Sequence, residues 1–356
     1  MQQEHGGNIE EVSRLYDIDR EEIIDFSASI NFLGPPVGLL SVLEKEMEKI
    51  IHYPPSNSGQ LKRVLADFLN LEQENVVVGN GAAELIYEIV KTINPEVTLI
   101  PVPAFGEYNR AVKSLSGQVK NIYLQSEKQF SINLEKISTY FSEVQLLFLC
   151  NPHNPTGRMI AKSKLLNILK QAEKEDVFVV VDEAFMDFVD EEENSVLELV
   201  ENYSNLFVLR SMTKFYAIPG LRLGYGVGNS EIVAKIENYR NPWTVNSLAC
   251  RAGRFVLGKE DYRIKTKERV KQERKFLFQK LGEIEGFHPF TPVANYIFID
   301  ISEFSLKAKE LTEILAQRGI LIRNCDSYQG LQDDYIRLAV KSREENMAFL
   351  REVQNI

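Results

Sequence analysis

The chain has 356 residues, of which 44% are apolar and 26% charged, values typical of a soluble globular protein with enough core for two domains. Its net charge of −10 argues against nucleic-acid binding, because a phosphate backbone attracts a positive protein face. No apolar run is long enough to span a bilayer, so the composition favours a cytoplasmic enzyme.

Three cysteines and four histidines are scattered along the chain. Cys150, Cys250 and Cys325 are odd in number and far apart, which gives neither a disulfide framework nor a metal-ligand spacing. We therefore expect the cysteines to be small buried apolar residues, and we predict no metal site.

Turn-forming residues punctuate the first part of the chain. Pro35-Pro36 and the YPP of residues 53–55 stand there, and proline ends helices and fixes turns. We predict three parts: an N-terminal arm over residues 1–35 that joins the small domain, a large cofactor-binding domain over residues 36–250, and a small C-terminal domain over residues 251–356.

Strands and helices alternate from residue 75 onward. A buried strand, VVVG, is followed by apolar residues at helical spacing over positions 85–93 and by the strand TLIPV. The middle of the chain repeats the pattern with the following segments: QLLFLC (145–150), a helix over 162–173, VFVVV (177–181), a helix near 194–203, and LFVLR (206–210). This alternation predicts an α/β fold with parallel strands, whose carboxyl ends share one edge where ligands bind.

The pattern changes after residue 227. A long amphipathic helix is predicted over residues 259–283, with acidic and basic residues on its polar face. Beyond it we predict strands at 295–301, 320–324 and 335–340 and helices near 306–318 and 343–354. These elements indicate a second, smaller α/β domain.

Three polar segments leave the predicted strand edge: NPHNPTG (151–157), DEAF (182–185) and SMTK (211–214). Each has an ordinary explanation by itself, as a turn-rich loop, a helix cap or a surface cation. Together they bring a lysine, a carboxylate and hydroxyl groups to one place. Pyridoxal 5′-phosphate requires such groups, because a lysine bonds its aldehyde, an aspartate keeps its ring nitrogen protonated and donors neutralise its phosphate.

Further candidates surround these segments. Ser211, Thr213 and Arg222 are predicted phosphate donors, and Phe105, at the end of another strand, is predicted to stack on the cofactor ring. The sequence GNGAA (79–83) opens a predicted helix, where free backbone N–H groups bind anions. The residues predicted to supply these groups are Gly81, Ala82 and Ala83.

The combination of NPxNPTG, DEA and SxTK, with an arginine eight residues beyond the lysine, resembles the fold-type-I pyridoxal-phosphate enzymes of aminotransferase class I/II. The resemblance implies an aspartate aminotransferase-like fold, with a mostly parallel seven-stranded sheet between helices plus a smaller α/β domain. It implies contacts of Asn154 with the ring hydroxyl, Asp182 with the pyridine nitrogen, Lys214 with the aldehyde and Arg222 with the phosphate. Tyr53 resembles a tyrosine that reaches the neighbouring subunit's cofactor, which implies a homodimer with shared active sites.

Within this group the chain resembles the threonine-phosphate decarboxylases of cobalamin synthesis more closely than the histidinol-phosphate aminotransferases. The segments that carry this likeness are HGGN (5–8), DFSASINFLGPP (25–36), DEAFMDF (182–188), TKFYAIPGLRLGY (213–225) and IRLAVKSREEN (336–346). The likeness implies a phosphorylated amino acid as substrate, with Arg337 on its carboxylate and Arg323 on its phosphate. Its substrate-binding set is completed by His5, Asn31 and Asn154.

Two alternatives to decarboxylation stay open at this point. One is an aminotransferase that acts on a phosphorylated amino compound such as histidinol phosphate, using 2-oxoglutarate, and the other is a non-catalytic pyridoxal-phosphate sensor. Phe185 stands where aminotransferases usually have a tyrosine; either a lost donor changes the cofactor's electronics or the ring only packs. Threonine phosphate and serine phosphate differ by one methyl group, which the sequence does not distinguish.

Overall fold

The computed structural model describes residues 6–190 and 194–356, so the predicted substrate contact His5 lies outside the described residues. The described strands are β1 Ile24–Asp25, β2 Val76–Gly79, β3 Val97–Val102, β4 Gln118–Tyr123, β5 Leu146–Cys150, β6 Phe178–Asp182, β7 Leu206–Ser211, β8 Gly224–Gly228, β9 His288–Pro289, β10 Tyr296–Asp300, β11 Ile320–Leu321, β12 Arg323–Asn324 and β13 Tyr335–Ala339. The described α-helices are α1 Ile9–Tyr16, α2 Leu39–Glu46, α3 Gly59–Leu69, α4 Ala82–Ile93, α5 Gly106–Ser114, α6 Leu134–Ser138, α7 Lys162–Lys174, α8 Met212–Phe215, α9 Ser230–Tyr239, α10 Ser247–Leu257, α11 Glu260–Leu281, α12 Ala308–Gln317 and α13 Arg343–Gln354.

The central sheet has seven strands in the order β2-β8-β7-β6-β5-β3-β4. The pairings among β4, β3, β5, β6 and β7 are parallel, whereas β8 runs antiparallel to both of its neighbours. This mostly parallel sheet confirms the predicted α/β fold class. The carboxyl ends of β2, β3, β5, β6 and β7 therefore lie at one edge, as the alternation predicted.

Both faces of this sheet are covered. Val179 and Val181 on β6 pack into one apolar cluster, whereas Val180 between them packs into a second cluster on the opposite face. Successive strand residues point to opposite faces, so a strand buried on both sides reads as a continuous apolar run. The runs VFVVV and LFVLR have this pattern, and they were correctly predicted as strands.

Strand β8 was not predicted from the sequence. Its residues at positions 224, 226 and 228 are glycines, and glycine normally weakens a strand. A Cβ atom on Gly226 would lie 2.2 Å from the Phe207 ring, and one on Gly224 would lie 2.4 Å from the backbone nitrogen of Ala82. The glycines are therefore required by close neighbours that only the tertiary structure reveals.

The helix predicted near residues 194–203 is wrong. The structure has a short 3₁₀ turn at Leu197–Leu199 instead. Glu183 accepts hydrogen bonds from the Ser195 hydroxyl at 2.7 Å and from the Val196 N–H at 2.9 Å. Because this buried carboxylate binds the start of the segment, a long-range contact replaces the local helical ladder.

A second, four-stranded antiparallel sheet has the order β12-β13-β10-β9. The strand predicted over residues 320–324 is divided: β11 pairs in parallel with β1, and β12 pairs with β13. The N-terminal strand β1 thus lies beside the C-terminal part of the chain. The domain boundaries stay a prediction. The predicted boundary between residues 250 and 251 falls inside helix α10.

None of the helices within residues 6–190 and 194–356 combines the length and the apolar character that a membrane crossing needs.

Candidate active site

A cavity of about 900 Å³ opens at the carboxyl edge of the seven-stranded sheet. Strand ends of that sheet line one side, and residues of the N-terminal arm and the four-stranded sheet line the other. Its volume is within the range of small-molecule and cofactor sites. The predicted site residues that line it are Gly81, Ala82, Ala83, Phe105, Asn154, Asp182, Ser211, Thr213, Lys214, Arg222, Arg323 and Arg337.

Lys214 projects into this cavity from the short helix α8, directly after β7. Its Nζ atom lies 3.4 Å from the Ser211 hydroxyl, which is itself 2.8 Å from the Thr213 hydroxyl. The amine also lies 4.9 Å from the centroid of the Phe185 ring. Burial lowers the pKa of Lys214, and although the negative charge of Asp182 opposes this effect, it does not cancel it. A lowered pKa increases the fraction of Lys214 in the neutral form, which is the nucleophilic form of the amine.

Asp182 ends β6 and is held through both carboxylate oxygens. Oδ1 accepts the Ala184 N–H at 2.9 Å, and Oδ2 accepts the Tyr108 hydroxyl at 2.6 Å. Burial, followed by the charge of Asp182, raises the pKa of Tyr108 well above its usual value, so this phenol stays protonated and donates. Tyr108 was missed by sequence reasoning; its position three residues after Phe105, on the first turn of a helix, was the available signal.

The start of α4 forms a cradle of backbone N–H groups. Gly81 has φ +81, and a Cβ atom at this position would lie 2.7 Å from the Arg222 guanidinium. The absence of a side chain lets this cation approach the helix start, and no side chain caps α4 there. The Gly81 N–H is already bonded to the Gly79 carbonyl at 2.8 Å. The N–H groups of Ala82 and Ala83, together with the adjacent guanidinium, suit a phosphate group. The cradle, the partly enclosed amine of Lys214 and the held carboxylate of Asp182 therefore fit pyridoxal 5′-phosphate.

Asn154, in the loop after β5, meets Arg337 of the four-stranded sheet where the two sides of the cavity come together. Arg337 Nη1 donates to Asn154 Oδ1 at 2.5 Å, and Arg337 Nη2 donates to the Ser27 carbonyl at 3.1 Å. The Tyr328 hydroxyl also donates to Asn154 Oδ1, at 3.0 Å. Arg337 is only 7% exposed, and its Nε has no hydrogen-bond partner among the described residues. A buried guanidinium with an unsatisfied donor favours an anionic ligand.

Arg323 lines the cavity on the side of Arg337 and is 2% exposed. Its Nη2 donates to the Ser327 hydroxyl at 2.8 Å, and its guanidinium lies 5.5 Å from the centroid of the Tyr328 ring. Sequence reasoning missed both Ser327 and Tyr328, because they occupy a loop without a recognisable motif.

Two predicted site residues, Asn31 and Tyr53, are not brought into the cavity lining, and His5 lies outside the described residues. Asn31 lies beside Lys214 but donates to the Phe215 carbonyl at 2.8 Å, and its own oxygen accepts the Leu33 N–H at 3.1 Å. Its side chain is therefore engaged inside the protein. Tyr53 is 82% exposed and contacts the Trp243 ring at 4.9 Å. For His5 the described neighbours Gly6 and Gly7 do line the cavity.

The family profile described as aminotransferase class I and II matches residues 21–353. The chain therefore belongs to this family of pyridoxal-phosphate-dependent enzymes, and its cofactor is pyridoxal 5′-phosphate, as predicted. The residues around the cavity supply an amine, a carboxylate and a phosphate cradle that agree with this assignment.

The relatives of this chain are named either as threonine-phosphate decarboxylases or as histidinol-phosphate aminotransferases. The chain is 37% identical, over 99% of its length and 94% of the relative's, to a protein of Caldanaerobacter subterraneus subsp. tengcongensis whose name describes it provisionally as a threonine-phosphate decarboxylase. It is 31% identical to the threonine-phosphate decarboxylase of Salmonella typhimurium, over 99% and 96% of the two chains. An adenosylcobalamin biosynthesis bifunctional protein of Leptospira interrogans is 33% identical over 99% of this chain and 41% of its own length.

Among solved structures, the histidinol-phosphate aminotransferase of Clostridium acetobutylicum is similar with a TM-score of 0.87 and 33% identity. The match covers 93% of this chain and 98% of that one. The L-threonine-O-3-phosphate decarboxylase of Porphyromonas gingivalis is similar with a TM-score of 0.83 and 24% identity, over 93% of this chain and 98% of that one. The fold is therefore common to enzymes of both names, and the reaction has to be argued from the site.

Proposed function

We propose that this enzyme decarboxylates L-threonine O-3-phosphate to (R)-1-amino-2-propanol O-2-phosphate and CO₂, in cobalamin biosynthesis. The observation that carries the proposal is the pair of buried guanidinium groups, Arg323 and Arg337, which line one cavity with Lys214. Two guanidiniums on one wall suit a small substrate with two anionic groups, a phosphate and a carboxylate. The names of the relatives support the same substrate class.

Each residue has a distinct task in this reaction. Arg337 binds the carboxylate and Arg323 the phosphate, so the substrate is held at both ends and its orientation at Cα is fixed. Bound pyridoxal phosphate supplies the electron sink that makes cleavage at Cα feasible. When the bond between Cα and the carboxylate breaks, CO₂ leaves and a proton from Lys214 Nζ takes its place on Cα. The lowered pKa of Lys214 favours rapid proton exchange at this amine.

We propose further that the enzyme is a homodimer in which Tyr53 reaches the cofactor phosphate of the partner subunit. Tyr53 is 82% exposed and stands outside the cavity of its own chain. Other large apolar side chains of the same N-terminal part of the chain are also exposed, including Val37 at 94% and Ile51 at 80%. A cluster of exposed apolar residues marks an interaction surface. Sedimentation analysis should give a dimer, and a monomeric holoenzyme with full activity would reject this assignment.

The alternative is an aminotransferase that acts on a phosphorylated amino compound such as histidinol phosphate. The similarity to a structure of that name favours it. Histidinol phosphate carries no carboxylate, so Arg337 would bind a carboxylate only in the other half-reaction, in which glutamate and 2-oxoglutarate interconvert.

One experiment separates the two reactions. The purified holoenzyme is mixed with O-phospho-L-threonine without any keto acid, and CO₂ and amine products are measured. We expect stoichiometric CO₂ and aminopropanol phosphate. A second assay mixes the enzyme with histidinol phosphate and 2-oxoglutarate. If this mixture forms glutamate and O-phospho-L-threonine releases no CO₂, the enzyme is an aminotransferase. Parallel runs with O-phospho-L-serine would show whether the substrate's methyl group matters.

A further inference from the structure

The loop of residues 325–334, which we call the bridging loop, joins β12 to β13 and contributes Ser327 and Tyr328 to the cavity lining. No motif of the sequence pointed to these two residues. They are adjacent in the chain. Ser327 contacts Arg323 through its hydroxyl, whereas Tyr328 contacts Arg337 through its hydroxyl and lies with its ring 5.5 Å from the Arg323 guanidinium.

Ser327 contacts the arginine that we assign to the substrate phosphate. Its hydroxyl accepts a hydrogen bond from Arg323 Nη2 at 2.8 Å. A serine hydroxyl that accepts from the guanidinium still has a proton to donate, so it can serve an anion bound at the same place.

Tyr328 contacts the arginine that we assign to the substrate carboxylate. Its hydroxyl lies 3.3 Å from Arg337 Nη1 and donates to Asn154 Oδ1 at 3.0 Å. Asn154 Oδ1 also accepts from Arg337, so two donors hold this oxygen. The tyrosine therefore fixes the positions of Arg337 and Asn154 together.

The bridging loop is anchored at its far side. The Gln329 side chain donates to the Tyr123 hydroxyl at 3.1 Å, and Tyr123 belongs to β4 of the seven-stranded sheet. Gly330 has φ +88, and a Cβ atom there would lie 3.0 Å from the Tyr123 ring. Glycine is suited to such a backbone conformation and close approach. Because the loop contacts both sheets, it cannot shift together with one of the two arginines alone.

We propose that Ser327 and Tyr328 are positioning residues that hold the phosphate-binding and carboxylate-binding guanidiniums at a fixed separation, and so select substrates by the distance between two anionic groups. The inference rests on the proposed function insofar as the substrate carries both groups. It assigns each anion its own neighbour in the loop, so the two residues should have separable effects.

Three amines of different charge pattern test this separation. O-phospho-L-threonine has both anionic groups, O-phosphoethanolamine has only the phosphate, and L-threonine has only the carboxylate. Binding of each to the full-length holoenzyme is measured from the change in the cofactor's visible absorbance. The variants are Ser327→Ala and Tyr328→Phe, which remove one hydroxyl each and keep the side-chain volume close to native. Matched controls are Ser138→Ala and Tyr140→Phe, from a region outside the cavity lining.

For Tyr328→Phe we expect L-threonine and O-phospho-L-threonine to bind about tenfold more weakly while O-phosphoethanolamine is unaffected, since a hydrogen bond in a charged network is lost. Ser327→Ala should weaken O-phosphoethanolamine and O-phospho-L-threonine by about tenfold and spare L-threonine. Equal effects on all three amines, no effect on any, or the reverse pattern would overturn the proposal.

These outcomes are independent of the reaction that follows binding. If the wild-type enzyme releases no CO₂ from O-phospho-L-threonine, the proposed function fails, but the three binding titrations still decide the role of the loop. If CO₂ is released and the titrations show no separation, the function stands and the loop assignment fails.

Discussion

The two sides of the cavity are built in different ways. On the seven-stranded sheet, Asp182 and Lys214 follow directly from the ends of neighbouring parallel strands. On the opposite side, Arg337 projects from within an antiparallel strand, while Arg323 lies beside a loop that reaches back to the first sheet. The first side suits the cofactor and the second the substrate. The comparison indicates that the chemistry and the choice of substrate depend on separate parts of one chain.

The charge environment of the buried cation also differs between the two sides. The amine of Lys214 lies near the opposite charge of Asp182, whereas Arg337 is held by an amide oxygen and a backbone carbonyl. A cation held only by neutral acceptors keeps its full charge for an incoming anion. We therefore expect variants on the first side to lose the cofactor or the reaction, and variants on the second to lose substrate binding.

The largest effect is expected for Lys214→Ala. Removal of the amine should lower CO₂ release by at least about 10³-fold, because a nucleophile and proton donor is lost. Borohydride reduction of the wild-type holoenzyme, followed by peptide mass analysis, should place the cofactor on the peptide that contains Lys214. Exposed Lys235 on α9 provides the control Lys235→Ala. Modification of a different lysine would show that Lys214 is not the residue that bonds the cofactor.

The next effect tests the opposite side. Arg337→Lys keeps the charge but loses the planar fork, so kcat/KM for O-phospho-L-threonine should fall by about 100-fold. The visible spectrum of the bound cofactor should stay as in the wild type. Arg351→Lys, an exposed exchange on α13, is the control. If the spectrum changes as strongly as the kinetics, the proposed division between the two sides is wrong.

A third prediction concerns His153, which is buried in the loop after β5 and lies 2.7 Å from the Thr156 hydroxyl. Burial lowers the pKa of His153 to about 4, so the unfolded chain takes up a proton first as the pH falls below about 6.5, the ordinary value for histidine. The native state should therefore lose about 2 kcal/mol of stability through this residue between pH 7.5 and pH 5.

Urea unfolding of the wild type and His153→Asn at both pH values measures this loss. The difference between the two proteins should shrink or reverse at pH 5, because only the wild type has the buried imidazole. Parallel pH dependence in both proteins would show that His153 carries no such linkage.

The smallest effect is expected for Tyr108→Phe. The ring would keep its stacking on Phe148, at 4.7 Å between centroids, but the hydrogen bond to Asp182 would be lost. We expect the dissociation constant of pyridoxal phosphate to rise about tenfold, since the carboxylate loses a donor that holds it. Equilibrium dialysis measures the change, with Tyr203→Phe, before the amino end of β7, as control. An unchanged constant would mean that the Ala184 N–H alone is sufficient.

The sequence by itself predicted the α/β fold class, the carboxyl-edge location of the site and the cofactor. It could do so because apolar runs buried on both faces identify parallel strands, and their ends must meet at one edge. Asp182 and Lys214 were predicted at the site for this reason, whereas Asn154 was predicted from the resemblance to aminotransferase class I/II, and the structure places all three around one cavity. Their individual roles stay predictions until the variants above are measured.

Only the tertiary structure decided the features that depend on contacts between distant segments. Glycine-rich β8 is a strand because Phe207 and the start of α4 occupy the space of its missing side chains. Glu183 holds Ser195 and Val196, and the segment that follows forms a short 3₁₀ turn at Leu197–Leu199 rather than an α-helix. Tyr108 and Tyr328 reach the site from an adjacent helix and from a loop, respectively. Periodicity reports which face of a segment is buried, but it does not report which partner fills the space, and that partner determines these contacts.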